Sequence, residues 1–190
     1  MRGRPSGGCR FRQSDLTKKT STEAAVEAYL KATGVDSKNA SYPFYATLAY
    51  ERLADHKNAV RYHKLAIARD RDSPRYRVAL GGLLERMGRA KEAMVVYRGA
   101  TRVSPEDPDV WIRLGHVAAD ARCHRDAVRA FKRAHALKSD DLEAILSLGI
   151  VYETGLRDQK AAADYYRLYI DKGGKDPDVA DWLKRIDDAR

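Results

Sequence analysis

The chain has 190 residues, with 36 Lys and Arg against 27 Asp and Glu and a formal charge of +9. Its mean hydropathy is −0.60. A 44% hydrophobic share with only 13 Gly and 6 Pro excludes collagen-like and low-complexity chains and leaves enough apolar residues for a core. No apolar run approaches the ~18 residues of a membrane-spanning helix, so a soluble, helix-rich protein is expected.

Arg2, Arg4, Arg10 and Arg12 precede the first acid, Asp15. The apolar stretch of about 7–15 residues that a secretory signal needs is missing, which predicts a cytoplasmic chain. Ser6-Gly7-Gly8-Cys9 has the look of a lipoprotein signal's end, so a lipid-anchored periplasmic chain whose true start lies upstream is the alternative. Residues 1–19 hold Pro5, Gly7 and Gly8 and no apolar periodicity, and are expected to be a basic flexible tail. Cys9 and Cys123 are no disulfide framework. The five histidines are scattered without metal-ligand spacing, so neither a metal nor a cofactor is implied.

From residue 20 onward a 34-residue period organises the chain. Ala25, Ala59, Ala93, Ala127 and Ala161 share one phase. Tyr29, His63, Tyr97, Phe131 and Tyr165 share the next, and Ala32, Ala66, Ala100, Ala134 and Leu168 a third. Upstream in each unit stand Leu80-Gly81, Leu114-Gly115 and Leu148-Gly149, with Ala46-Thr47 as a weaker copy. Trp111, Leu114, Gly115 and Ala118 lie at i, i+3, i+4 and i+7, one face of a first helix; Ala127, Phe131 and Ala134 lie on one face of a second. Small residues let the two backbones approach, and the aromatic fills the space between them. Residues 20–39 read as a lone packing helix, a half repeat. The units follow at 40–73 (weak, with Pro43 near its start), 74–107, 108–141 and 142–175, the last with a one-residue register ambiguity near Gly155. Gly173-Gly174 stops a helix, Asp176 and Pro177 start another, and Val179, Trp182, Leu183 and Ile186 give 176–190 the apolar stripe of a capping helix.

The aromatic, Leu-Gly, Ala, aromatic, Ala and Pro positions resemble the tetratricopeptide repeat (TPR) family, bacterial type. The resemblance implies an all-α, right-handed α-solenoid of stacked antiparallel helix pairs, with the first helix of each unit lining a concave groove. By register, the groove candidates are Tyr45, Leu48 and Arg52; Val78, Glu85 and Arg86; Ile112, Arg113, His116 and Asp120; and Leu146, Ile150 and Glu153. Arg75 and Asp109 fall near the rim. The alternative for any one of them is an ordinary solvated or stacking residue. Family members that grip carboxy-terminal tails do so with a clamp of Lys and Asn. The matching positions here hold Phe44 and Leu48, Val78 and Gly82, or Ile112 and His116, so clamp binding is not expected, although Arg113 alone could pass as a clamp residue.

A second surface is predicted on the other side of the third unit. Arg125, Arg129, Lys132 and Arg133 fall at i, i+4, i+7 and i+8, with Arg122 just before. This convex patch suits an acidic protein, a nucleic acid or an anionic membrane, or is a solvated face. No phosphate loop, nucleophile elbow or metal pair marks the chain as an enzyme. The expected function is a non-enzymatic adaptor that binds a protein or peptide segment in its groove and can form a homo-oligomer. A basic repeat associating with nucleic acid, or another polyanion, is the first alternative, and a lipid-anchored periplasmic assembly adaptor the second.

Overall fold

The computed structural model describes the backbone of residues 8–188 and the side chains of residues 18–188, and every described element is helical. In order these are α1 (Gly8–Val35), α2 (Ser41–Arg52), α3 (His56–Arg69), α4 (Pro74–Arg86), α5 (Ala90–Val103), α6 (Pro108–Asp120), α7 (His124–Leu137), α8 (Leu142–Ile150, continued by a π-helical segment Val151–Leu156), α9 (Gln159–Asp171) and α10 (Pro177–Asp188). The chain divides into two compact units, Met1–Tyr76 and Arg77–Arg190. No described helix is long and apolar enough to cross a membrane.

Short polar residues start several of these helices. Asp55, Asp107, Asp141 and Asp158 each accept from a backbone N–H in the first turn of the helix that follows. Each such cap is worth about 1 kcal/mol. Pro108 sits just inside α6, where its missing N–H costs nothing.

In the first unit α1 starts at Gly8, earlier than the residue 20 that the repeat phase predicts. The described part of the expected tail is therefore helical, and residues 1–7 lie outside the described residues. From residue 9 to Val35 no proline interrupts the chain, and Arg, Gln, Leu, Lys, Glu and Ala hold a helix at little cost. Apolar periodicity is a signal of packing and is not needed for the backbone to coil. The inward face of α1 also differs from the predicted one. Val26 and Thr33 are buried, whereas Ala25 and Ala32 are only half-buried. Arg69 at the end of α3 donates to the carbonyls of Thr33 and Asn39, satisfying groups that the end of α1 leaves open. Between α2 and α3, Ala46, Thr47, Ala59, His63 and Ala66 are fully buried.

The second unit shows why the period exists. A methyl group placed on Gly81 would sit 2.5 Å from the Tyr97 ring, and one on Gly115 would sit 2.5 Å from the Phe131 ring; Gly149 meets Tyr166 in the same way. Each ring is wholly buried. The glycine of the first helix is thus the hole, and the aromatic of the second is the knob. In two of the pairs the polar group on the knob faces an acid of the first helix. Tyr166 donates to Glu153 at 2.7 Å, and in the first unit His63 and Glu51 are 3.3 Å apart. Where the knob is Phe131, with nothing to donate, the matching position is Ala119.

The register ambiguity near Gly155 resolves here as a shift. Ala162, one of the two residues that the ambiguity leaves open (Ala161 or Ala162), and Tyr166 are buried at the packing positions, while Ala161 and Tyr165 are half-buried. The spacing from Gly115 to Gly149 is the regular one, so the extra residue enters after Gly149. It is absorbed by Val151–Leu156, where a wider turn accommodates one residue more. Leu168 is likewise displaced as the buried residue by Tyr169. Val179 and Ile186 of α10 then close over α9, with Trp182 and Leu183 packed against them.

The turn between the two helices of each pair uses a left-handed residue: Ala54 (φ 55°), Gly88 (φ 69°), Arg122 (φ 58°) and Arg157 (φ 56°). Only one of the four is glycine, so the others carry a steric cost. Ala54→Gly is expected to raise stability by up to about 1 kcal/mol, and Gly88→Ala to lower it by a similar amount, in urea unfolding. Gly115→Ala should cost about 1–3 kcal/mol by overpacking against Phe131. Tyr166→Phe should cost about 1–2 kcal/mol, because the half-buried Glu153 carboxylate loses one of its two donors and keeps only Arg185.

Candidate functional site

A cleft of about 510 Å³ opens in the second unit, lined by Glu85, Asp109, Ile112, Arg113, His116, Asp120 and Glu143. Helix α6 supplies its spine. Asp109, Arg113, His116 and Asp120 are spaced i, i+4, i+7 and i+11, so a helix puts all four on one stripe. All four are exposed, while Ile112 beside them is buried and belongs to the core. The end of α4 contributes Glu85, and the first turn of α8 contributes Glu143.

Two contacts fix the middle of the stripe. His116 Nε2 lies 2.9 Å from Glu143 Oε1, and its ring stands edge-on to Phe131 at 5.1 Å. The imidazole therefore bridges three helices. Below Glu85 and Arg113 lies the Tyr97 hydroxyl, and burial pushes it up to about 12. Glu85 and Arg113 are its charged neighbours, both close enough to bias its proton, and the hydroxyl makes no hydrogen bond of normal geometry. No described side chain forms an ion pair with Asp109, Asp120 or Arg113. Asp120 also ends α6, where the helix dipole disfavours an acid, so helix stability does not account for it. The cleft carries four carboxylates against one guanidinium, on a chain whose overall charge is positive.

The structure gathers six of the predicted groove residues here: Glu85, Asp109, Ile112, Arg113, His116 and Asp120. It does not bring the rest to this cleft. Val78 is half-buried and Arg86 exposed outside it. Leu146 and Ile150 pack against the core under α8–α10. Glu153 is engaged by Tyr166 and by Arg185 at 3.2 Å. In the first unit Tyr45 and Leu48 are exposed, at 38% and 43%, Tyr45 with its ring 5.6 Å from Tyr29. Arg52 is exposed, and Arg75 lies over the Phe44 ring at 4.6 Å. Glu143 was missed by the sequence reading, although it stands one repeat after Asp109 and two after Arg75, so the same register contains it.

The basic ridge on α7 is partly neutralised. Asp126 pairs with Arg129 and, at 3.3 Å, with Arg98; Arg133 pairs with Glu106 at 2.8 Å. Lys132 lies over the Tyr152 ring at 5.6 Å. Only Arg122 and Arg125 of the five predicted cations have no such contact among the described residues. A second depression, of about 790 Å³, lies beside the ridge. It includes Arg98, Arg102, Trp111 and Leu114, none of which was predicted as a site residue.

Residues 74–117 match the family model of the tetratricopeptide repeat. The chain is 34% identical over 106 residues to the cytochrome c-type biogenesis protein CycH of Bradyrhizobium diazoefficiens; the match spans 54% of this chain but only 28% of that protein. Among solved structures it is similar to YrrB, described as a TPR protein with an unusual peptide-binding site, with a TM-score of 0.70 and 20% identity over 90% of this chain and 88% of that one. It is also similar to MamA from Desulfovibrio magneticus, with a TM-score of 0.65 and 16% identity over 86% and 92% of the two chains. For Pseudomonas aeruginosa PilF the TM-score is 0.64 and the identity 21%, over 92% and 79%. A glycine-and-knob helix pair recurring at this period, matched over residues 74–117 to the tetratricopeptide repeat model and along the chain to TPR proteins in fold, gives this protein an all-α solenoid fold of the tetratricopeptide repeat type, shared with bacterial proteins.

Proposed function

We propose that this chain is a non-enzymatic adaptor that holds a segment of a partner protein in the cleft along α6. Its fold is that of protein-interaction scaffolds. The observation that carries the reading is the stripe Asp109, Arg113, His116 and Asp120, exposed beside buried Ile112 and largely unclaimed by intramolecular pairs. Such a surface is preformed on a rigid helix, so a partner binds without the receptor losing much ordering entropy. The remaining groove candidates, Tyr45, Leu48, Arg52 and Arg75 on the first unit and Val78, Arg86, Leu146, Ile150 and Glu153 on the second, extend the surface in this reading. So does the division into a half repeat (20–39), four units (40–73, 74–107, 108–141 and 142–175) and a capping helix (176–190).

The similarity to a cytochrome c-type biogenesis protein supports a place among assembly adaptors. It favours the periplasmic alternative over a cytoplasmic one, with Cys9 as the anchor if the chain starts further upstream. Cys9 lies where no side chain is described. The ion pairs along α7 weaken the polyanion reading, since Asp126 and Glu106 already answer two of its five cations, Arg129 and Arg133.

Affinity capture from the native organism is expected to lose its main partner when the exposed Arg113→Glu and His116→Ala are combined, with the helical circular dichroism retained. An unchanged set of captured proteins would move the site off the cleft. Neutralising Arg125, Arg129 and Arg133 to Gln together is expected to change stability by no more than about 0.5 kcal/mol each and to leave the captured set intact. Loss of an RNA or another polyanion from that set would instead establish the convex reading. Size-exclusion chromatography of the wild type reports whether the chain also pairs with itself.

A further inference from the structure

Resting on the cleft reading, we propose that the cleft selects a cationic segment, an extended stretch in which two Lys or Arg side chains bracket one acid. The two basic side chains pair with Asp109 and Asp120, and the acid between them pairs with Arg113. The polarity follows from the lining, in which Glu85, Asp109, Asp120 and Glu143 face a single guanidinium. The +9 charge of the whole chain makes this a local inversion that overall composition does not produce.

The spacing follows from helix geometry. Asp109 and Asp120 are three turns apart, about 16 Å at 1.5 Å per residue. An extended chain rises about 3.3 Å per residue and turns only every second side chain to one face, so four residues carry a second same-face side chain about 13 Å along, and the length of a Lys or Arg makes up the remaining ~3 Å. Arg113 lies about 6 Å from the Asp109 end, or about two residues along an extended chain. The pattern is therefore basic, acidic two residues on, and basic two after that, all three on one face of the extended segment and readable in either chain direction.

A second observation points to a missing occupant. The Tyr97 hydroxyl is buried behind Glu85 and Arg113 with no hydrogen-bond partner. At the equivalent place in the last repeat Tyr166 is satisfied by Glu153 at 2.7 Å. Glu85 has not closed on Tyr97 in the same way and instead lines the cleft. A buried polar group without a partner is costly to leave so. A cation seated between Glu85 and Asp120 gives this end of the cleft the counter-charge that it lacks.

Two synthetic peptides flanked by Gly-Ser test this by fluorescence anisotropy. One has the core Lys-Ser-Glu-Ala-Lys and the other the charge-swapped core Glu-Ser-Lys-Ala-Glu. The cationic peptide is expected to bind at low salt and to weaken at physiological salt. Asp109→Asn with Asp120→Asn should weaken it about tenfold, while thermal melting shows the fold retained. Glu85→Gln, a separate variant, should weaken it in the same direction, and the charge-swapped peptide should not compete. Equal or better binding of the charge-swapped peptide would overturn the proposal. So would absence of binding by the cationic one, or cationic binding indifferent to the Asp109 and Asp120 changes. If any of these occurs while combined Arg113→Glu and His116→Ala still abolishes partner capture, the cleft remains the site and only its charge selectivity falls.

Discussion

The contact between a glycine on one helix and an aromatic ring on the next is what the rest of this molecule depends on. At Gly81, Gly115 and Gly149 no room exists for even one methyl group. The close approach sets the distance between the two helices of a pair, and the buried Ala93, Ala127, Ala134 and Ala162 keep the remaining backbone near enough for continuous packing. Because the same contact recurs, each pair presents its first helix in the same way, and the stripe on α6 is exposed as a consequence of how Phe131 is seated beneath it.

The knob also carries a polar account. A tyrosine or histidine placed in a dry interface brings a donor that must be met. Glu153 meets Tyr166 and Glu51 lies beside His63, while Phe131 has Ala119 opposite. Acid and knob therefore change together within a single chain, which is a physical rule that relates its repeats. Tyr97 and Glu85 are the pair that departs from it, and they do so at the wall of the cleft. Departure from a local packing rule at a place open to a ligand is where function is expected to have outweighed stability.

Charge is sorted by surface. The convex ridge holds two of its four arginines, Arg129 and Arg133, in pairs, and the cleft holds most of its acids out of them. A count over the whole chain is basic and suggests an anionic partner. What governs recognition is the field inside a concave wall, where low-dielectric surroundings strengthen the unpaired groups. On that measure the ridge is the quieter of the two surfaces and the cleft the more selective.

The helix pairs were legible from sequence because their cause is periodic. Small residues, knobs and Leu-Gly steps repeat at a fixed interval, and a local pattern of that kind needs no knowledge of distant contacts. Asp109, Arg113, His116 and Asp120 were readable for the same reason, as one stripe of one helix. Tertiary structure decided what no single period encodes. The one-residue slip after Gly149 is absorbed by a wider turn whose cost is set by packing against α7 and α9, and this put Tyr166 where Tyr165 was expected. The inward face of α1 shifted from Ala25 to Val26, since burial depends on the surface opposite. The sequence determined which charges are present, but which of them remain free depended on partners such as Glu106 for Arg133, at 2.8 Å across a separation of 27 residues. Only the fold could bring those together.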